Sequence, residues 1–267
     1  MQAQSEAYAG IELYDAPDAI TGKFISGELD IAAVPINMAS ALYNKTGGDV
    51  VMLAVNTLGV LYVLDNGDTV HALSDLAGKT VYATGQGSTP EFVLRGLLEK
   101  AGVADVNIEF VGEHAALATM LAAGEVDIGM LPEPNVSAVL LKNPEARIAL
   151  DLNSEWKQLT GNDLVQGCYI AKRSFYEAHP AAIEQFVKDC TESVNKVNND
   201  VDAAAVIAAQ GILPSEAVAA KAIPNCNIVC VTGAQMRTIA SGMLQSLFDA
   251  DPKSVGGALP GNDLYAD

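Results

Sequence analysis

The segment Gly27-Glu28-Leu29-Asp30-Ile31-Ala32-Ala33-Val34-Pro35 constrains this chain most, because it occurs twice. Gly124-Glu125-Val126-Asp127-Ile128-Gly129-Met130-Leu131-Pro132 repeats it 97 positions on, and carrying that offset through Ala41 and Ala138 keeps seven identities in 15 positions. The flanking patterns repeat too. Ile11-Glu12-Leu13 falls on Ile108-Glu109-Phe110, alternating as a strand does, and Ile20 and Phe24 fall on Leu117 and Leu121, an i, i+4 helical pair. Downstream, Met38, Ala41 and Leu42 form an i, i+3, i+4 stripe, and Val136, Val139 and Leu140 form the same stripe one position beyond the 97 offset. Each copy therefore reads strand, helix, strand, helix, and the pair predicts an α/β fold of two similar lobes.

A chain of 267 residues, half of them apolar and 18% charged, can fill two ordinary cores and is neither a disordered tail nor a coiled coil. Fifteen Lys and Arg against 33 Asp and Glu leave a net charge of −18, which with no basic patch argues against nucleic acid as a partner. Small molecules or proteins are expected instead. No apolar run reaches the roughly 18 residues of a membrane span. Cys168, Cys190, Cys226 and Cys230 are expected to be buried free thiols, with a single disulfide as the second possibility. The Cys226 to Cys230 spacing would suit a metal, but no histidine lies near it, so neither a metal nor a cofactor is expected.

Along the chain, residues 2–10 read as a helix tail, 11–15 as a strand, and 17 or 18 to 25 as a helix. Residues 30–34 form the repeated strand, and a helix follows from about Asn37 to Gly47. Val50 to Leu64 reads as one apolar strand bending at 56–59. Thr80 to Ala83 is a buried strand leading into helix 90–100. The second copy occupies 108–142. Strands follow at 147–150 and 165–171, with 151–163 polar and irregular between them. Helices then run from Pro180 with the stripe Ile183, Phe186, Val187, Cys190, Val194 and Val197, and at 201–210, 214–222 and 233–249. With 56–65 leaving lobe one and 165–171 returning, two crossing strands join the lobes. The expected division is 1–64 and 172–267 for lobe one and 65–171 for an inserted lobe two. A cleft between such lobes is where ligands are placed.

Three loops at strand ends can carry chemistry. Gly85-Gln86-Gly87-Ser88-Thr89 joins a strand to a helix N-terminus, where backbone N–H groups and the dipole favour a negative oxygen. It is neither a Walker loop nor a dinucleotide fingerprint, since no Lys follows and only two glycines are present. Ser88 to Glu91 has capping-box spacing, so this is a ligand loop or an ordinary helix cap. Pro35-Ile36-Asn37-Met38 and Pro132-Glu133-Pro134-Asn135 are the matching loops after the repeated strands. Asn37 and Asn135 suit a ligand or a helix cap equally. Glu133 breaks the symmetry, standing where the first copy has Ile36, and faces a cationic group or solvent. His71, His114 and His179 fall in different predicted elements, and neither a His pair nor a nucleophile elbow is present, so no catalytic residues are expected.

The repeated Gly-Glu-Leu-Asp-Ile-Ala, Ser74-Asp75-Leu76-Ala77-Gly78-Lys79-Thr80-Val81, Leu131-Pro132-Glu133-Pro134, His179-Pro180 and Val255-Gly256-Gly257-Ala258-Leu259-Pro260 resemble the solute-binding proteins of ABC importers. The resemblance covers essentially the whole chain and is to the type II periplasmic-binding-protein group that includes nitrate, sulfonate, taurine and thiamine-precursor binders. It implies two lobes closing on a small polar solute, a Venus-flytrap mechanism, and delivery to an ABC permease in the membrane. It also implies an extracytoplasmic place, in the periplasm or as a cell-surface lipoprotein, with the export signal removed. By position it implies contacts from Pro35, Asn37, Asn56, Thr57, Gly85, Ser88, Thr89, Glu133 and Gln166. None of these loops holds an Arg or Lys, which departs from relatives that grip a strong anion with a side-chain cation. The alternatives are a ligand-sensing receptor domain and a thiamine-precursor synthase of the same fold. Those synthases carry a cysteine-rich cluster with histidines that this sequence lacks.

Subtracting 97 from Gly78 to Asn107 places the first-copy equivalents at −19 to 10. A first strand, its loop and most of a helix are therefore expected before Met1, leaving the first lobe without them. A monomer is expected unless a partner chain supplies that strand.

Overall fold

A computed structural model of the chain describes residue 1, residues 10–14 and residues 18–267. In order, helix α1 (Asp18–Ser26) leads to β1 (Ile31–Pro35), α2 (Ile36–Thr46), β2 (Val51–Leu58), β3 (Leu61–Asn66) and β4 (Thr80–Ala83). Next come α3 (Thr89–Lys100), β5 (Asn107–Phe110), α4 (His114–Ala123), β6 (Ile128–Pro132), α5 (Asn135–Lys142), β7 (Ala146–Asp151) and α6 (Leu152–Thr160). The chain continues through β8 (Val165–Ala171), α7 (Arg173–Ala178), α8 (Pro180–Asn199), α9 (Ala203–Ala209), α10 (Glu216–Ala222), β9 (Ile228–Val231) and α11 (Gly233–Ala250).

Two compact units divide these elements. The first comprises Met1–Leu58, Val165–Gln210 and Ile228–Asp267, around an antiparallel sheet in the order β1-β8-β2-β9. Val51, Leu53, Ala171 and Ile183 form a buried cluster there, joined by Tyr169, Phe175 and Phe186. The second comprises Gly59–Leu164 and Gly211–Asn227, with sheet order β5-β4-β6-β3-β7. In it β4 runs parallel to β5 and β6, while β3 is antiparallel to β6 and β7. Leu64, Leu117, Leu121, Leu131 and Val136 are in its core.

The repeat is physical. β1 and β6 begin and end 97 positions apart, each preceded and followed by a helix. The repeated glycines close the preceding helices. Gly27 and Gly124 take φ of 80° and 71°, and the next amides, of Glu28 and Glu125, return to Lys23 O and Met120 O at 2.9 Å each. A left-handed residue at that point satisfies the last carbonyls, which is why both copies keep Gly-Glu.

Five expectations need correction. The boundary falls at Leu58/Gly59, since β3 bonds to β6 and β7, so residues 59–64 belong to the second unit. β8 lies between β1 and β2, which places 165–171 in the first. Residues 211–227 return to the second unit, so the chain passes between units four times, not twice. Residues 11–14 form no strand. Their counterpart β5 is held only by its ladder to β4, and no described strand stands in that place beside β1. Residues 151–163 are mostly helical. The Asp151 carboxylate caps α6 through Asn153 N at 3.0 Å and Ser154 N, and Leu152 and Trp156 anchor it one turn apart. Residues 2–9, read as a helix tail, lie outside the described residues.

Candidate functional site

In the second unit β4, β5 and β6 point their carboxyl ends the same way, and open α/β sheets take ligands at such ends. Immediately after β4 the buried Thr84 hydroxyl lies 2.6 Å from His114 Nδ1, at the start of α4. His114 keeps an exposed edge, yet burial of its ring lowers its pKa below the usual histidine range, against the pull of Glu113. The neutral imidazole is therefore the favoured form there.

The loop after Thr84 is built by two left-handed glycines, Gly85 (φ 77°) and Gly87 (φ 73°). A Cβ on Gly85 would sit 2.9 Å from both Pro90 Cγ and Ser88 Oγ, so only glycine fits. The capping box expected here does not form. Ser88 Oγ donates to Gly85 O at 2.6 Å, and Glu91 Oε2 accepts from Gly87 N at 2.7 Å while Arg95 holds Oε1 at 2.7 Å. Burial pushes the Glu91 carboxyl up, but the Gly87 amide and Arg95 outweigh it and hold it below the usual range. A carboxylate of the chain thus already occupies part of this anion-favouring turn. Gln86 is exposed and Thr89 is buried.

At the end of β6, Glu133 is buried and its two oxygens take three donors. Ser137 N reaches Oε2 at 3.0 Å, Ser137 Oγ reaches Oε1 at 2.8 Å and Asn225 Nδ2 reaches Oε1 at 3.3 Å. Burial raises its pKa against those bonds and the attraction of Lys221. Glu133 therefore binds the start of α5 to the turn at 223–225. Around it, Tyr62 Oη donates to Asn225 O at 2.8 Å and Asn227 Nδ2 to Gly59 O at 2.5 Å. The sequence reading missed Asn225, Asn227 and the Thr84–His114 pair. The third parallel strand end was the available signal for His114, whereas 211–227 has no counterpart in the repeat.

In the first unit sheet register gathers a second set. Gly167 of β8 pairs with Pro35 on one side and Thr57 on the other. Asn56 Oδ1 accepts from Thr57 Oγ1 at 2.9 Å, and a Cβ on Gly167 would meet that oxygen at 2.7 Å. Next to it Gln166 Oε1 is buried with no hydrogen-bond partner among the described residues. Asn37 caps nothing; Pro35 holds the N-cap position of α2, and Asn37 Nδ2 donates to Ser254 O at 3.3 Å. Met38 Sδ accepts from Thr21 Oγ1 at 3.9 Å. Asn135 opens α5 behind Pro134 and makes no cap bond either.

Two further arginines are tied up in ion pairs. Arg147 pairs with buried Asp65 at 3.1 Å, and Arg173 with Asp263 at 3.1 Å. All four cysteines are free thiols, two of them buried, and burial pushes Cys190 and Cys226 up to about 12. Among the described residues no group of three His, Cys, Asp or Glu could hold a metal ion.

The family model described as NMT1/THI5 like matches residues 18–204. The chain belongs to the NMT1/THI5-like family. No curated protein sequence matches it. Among solved structures, this family member is similar to an ABC transporter protein from Parabacteroides distasonis, at 24% identity and a TM-score of 0.81, covering 96% of this chain and 87% of that one. It is also similar to the periplasmic aliphatic sulphonate binding protein SsuA of Escherichia coli, at 19% identity and 0.75, covering 100% and 86%. The alkanesulfonate-binding protein SsuA of Xanthomonas axonopodis pv. citri, bound to MOPS, matches at 19% and 0.64, covering 93% and 82%. These likenesses establish the fold, a two-unit α/β architecture shared with periplasmic binding proteins.

Proposed function

We propose that this NMT1/THI5-like protein is the extracytoplasmic solute-binding component of an ABC import system, a binder and not an enzyme, which hands a small polar solute to a membrane permease. The observation that carries the reading is the family match over residues 18–204, joined to strand ends furnished with uncharged polar groups. Thr84, Gly85, Gln86, Ser88, Thr89 and His114 supply these in the second unit, with Asn135 at the start of α5. Asn37, Asn56, Thr57 and Gln166 supply them in the first, with Pro35 and Met38 beside them as apolar contacts. The Gln166 oxygen, which has no partner among the described residues, calls for a donor, because a buried polar atom left unpaired costs about 1–3 kcal/mol.

The solute class follows from the same groups. None of these residues is Lys or Arg, and Glu91 already takes the Gly87 amide. A neutral or zwitterionic polar solute therefore suits the site better than a strong oxyanion such as the sulphonates named for the Escherichia coli and Xanthomonas neighbours. Native mass spectrometry of the protein purified without denaturant tests this. A discrete mass increment that disappears on denaturation and identifies a polar, non-sulphonated molecule is expected. A co-purified sulphonate, or turnover of the bound molecule, would overturn the reading.

A further inference from the structure

Cys190 and Cys230 stand 40 positions apart in the sequence, and both belong to the first unit. Cys190 is on the buried face of α8, one turn after Val187. Cys230 is on β9, which packs against that helix, and its thiol donates to Val187 O at 4.0 Å. A second bond, Asn198 Nδ2 to Ile228 O at 2.9 Å, joins the same two elements, so the contacts with β9 bracket Cys190. Residues three apart share a helix face, which sets the Cys190 side chain beside the sulfur that reaches Val187. Tyr169 on β8 hydrogen-bonds the Cys190 thiol, with Cys230 also near its hydroxyl. Burial, and then Cys230 beside it, pushes the Cys190 thiol up to about 12.

The other two thiols have different neighbours. Cys168 is fully buried on β8, its thiol donating to Val34 O at 3.8 Å, and Cys226 is in the second unit with Glu133 as its charged neighbour. β9 is where a cross-link would matter. It is an edge strand whose ladder to β2 pairs Val55 with Val231 and Thr57 with Ile228 across an irregularity, and all four of its residues are only half-buried. It is also where the chain re-enters the first unit after residues 211–227.

We propose that Cys190 and Cys230 are a redox site, a dithiol that a disulfide oxidant closes into a disulfide fastening β9 to α8. The Cys230 thiolate, at the half-exposed position, attacks one sulfur of the oxidant R–S–S–R and expels RS⁻. The Cys190 thiolate then attacks the Cys230 sulfur and expels the second RS⁻. Two thiols of the chain are oxidised, the external disulfide is reduced to two thiols, and the protons of Cys190 and Cys230 end on the two RS⁻. The closed loop holds residues 191–229, which include the whole 211–227 excursion to the second unit, and such a closure constrains the unfolded chain. The test equilibrates the reduced full chain with oxidised glutathione, quenches it with N-ethylmaleimide, unfolds it and maps the peptides by mass. Two of the four thiols should be lost with no glutathione retained, in a single linked pair holding Cys190 and Cys230, and the melting temperature should rise by about 5 °C or more. Cys190→Ser should trap glutathione on Cys230 without that rise, whereas Cys226→Ser should behave as the unaltered chain does. Survival of all four thiols, a link through Cys168 or Cys226, glutathione left on Cys230 of the unaltered chain, or a link that leaves the melting temperature unmoved would each overturn the proposal.

Discussion

Ser137 holds Glu133 at two points, its amide on one carboxylate oxygen at 3.0 Å and its hydroxyl on the other at 2.8 Å, and both residues are buried. A carboxylate held in this way caps α5 and, through Asn225, fastens the returning 211–227 segment to the second unit.

Glu133→Ala leaves the Ser137 amide and hydroxyl and the Asn225 amide without their acceptor, and should cost about 3 kcal/mol in urea unfolding at neutral pH. Glu133→Gln should cost about 1 kcal/mol, because it also removes a buried charge. The raised folded-state pKa means that the native state takes up a proton before the unfolded chain does. Glu133 therefore adds stability as pH falls from that raised value toward its ordinary one, and the Gln variant should lack this gain.

The two glycines of the loop after β4 should differ in tolerance. Gly87 needs only the left-handed conformation, with open space around it, so Gly87→Ala should cost about 1 kcal/mol. Gly85→Ala adds a collision with Pro90 and Ser88 to the same strain and should cost at least about 2 kcal/mol. Equal losses in chemical denaturation would contradict the described loop.

His114 titrates in the opposite sense to Glu133. Its folded-state pKa is lowered, so its contribution is intact above about pH 6.5 and is lost as pH falls below that value toward the folded pKa. Comparing His114→Gln with the unaltered chain at pH 7.5 and pH 5.5 should show a smaller stability loss in the variant. An identical loss would mean that the imidazole is not held neutral.

How much could be read in advance depended on where each contact partner lay. The repeated strand and β8 were legible because burial alternation acts within a few residues. The loops at Pro35 and Glu133 were legible because the repeat places them at strand ends, and the loop at Gly85 because a buried strand there runs into a helix start. The fate of residues 11–14 was not, since a strand exists only with a neighbour to bond it. Nor was the assignment of 211–227, which follows from the Asn225 contacts to Glu133 and Tyr62, 92 and 163 positions away. The Ser88 box failed for a local reason: in the turn built by the left-handed Gly85 and Gly87, Ser88 Oγ and Glu91 Oε2 bond to Gly85 O and Gly87 N instead.

Solute binding is tested most directly by the melting temperature of the full chain against a panel of neutral, zwitterionic and sulphonated polar solutes. A ligand at one hundred times its Kd stabilises by about 2.7 kcal/mol, which for units of this size corresponds to a rise of roughly 6–10 °C. One neutral or zwitterionic solute class should give that rise, reduced by Gln166→Ala and by Thr84→Val. A panel in which no solute moves the melting temperature, or in which only sulphonates do, would contradict the assignment.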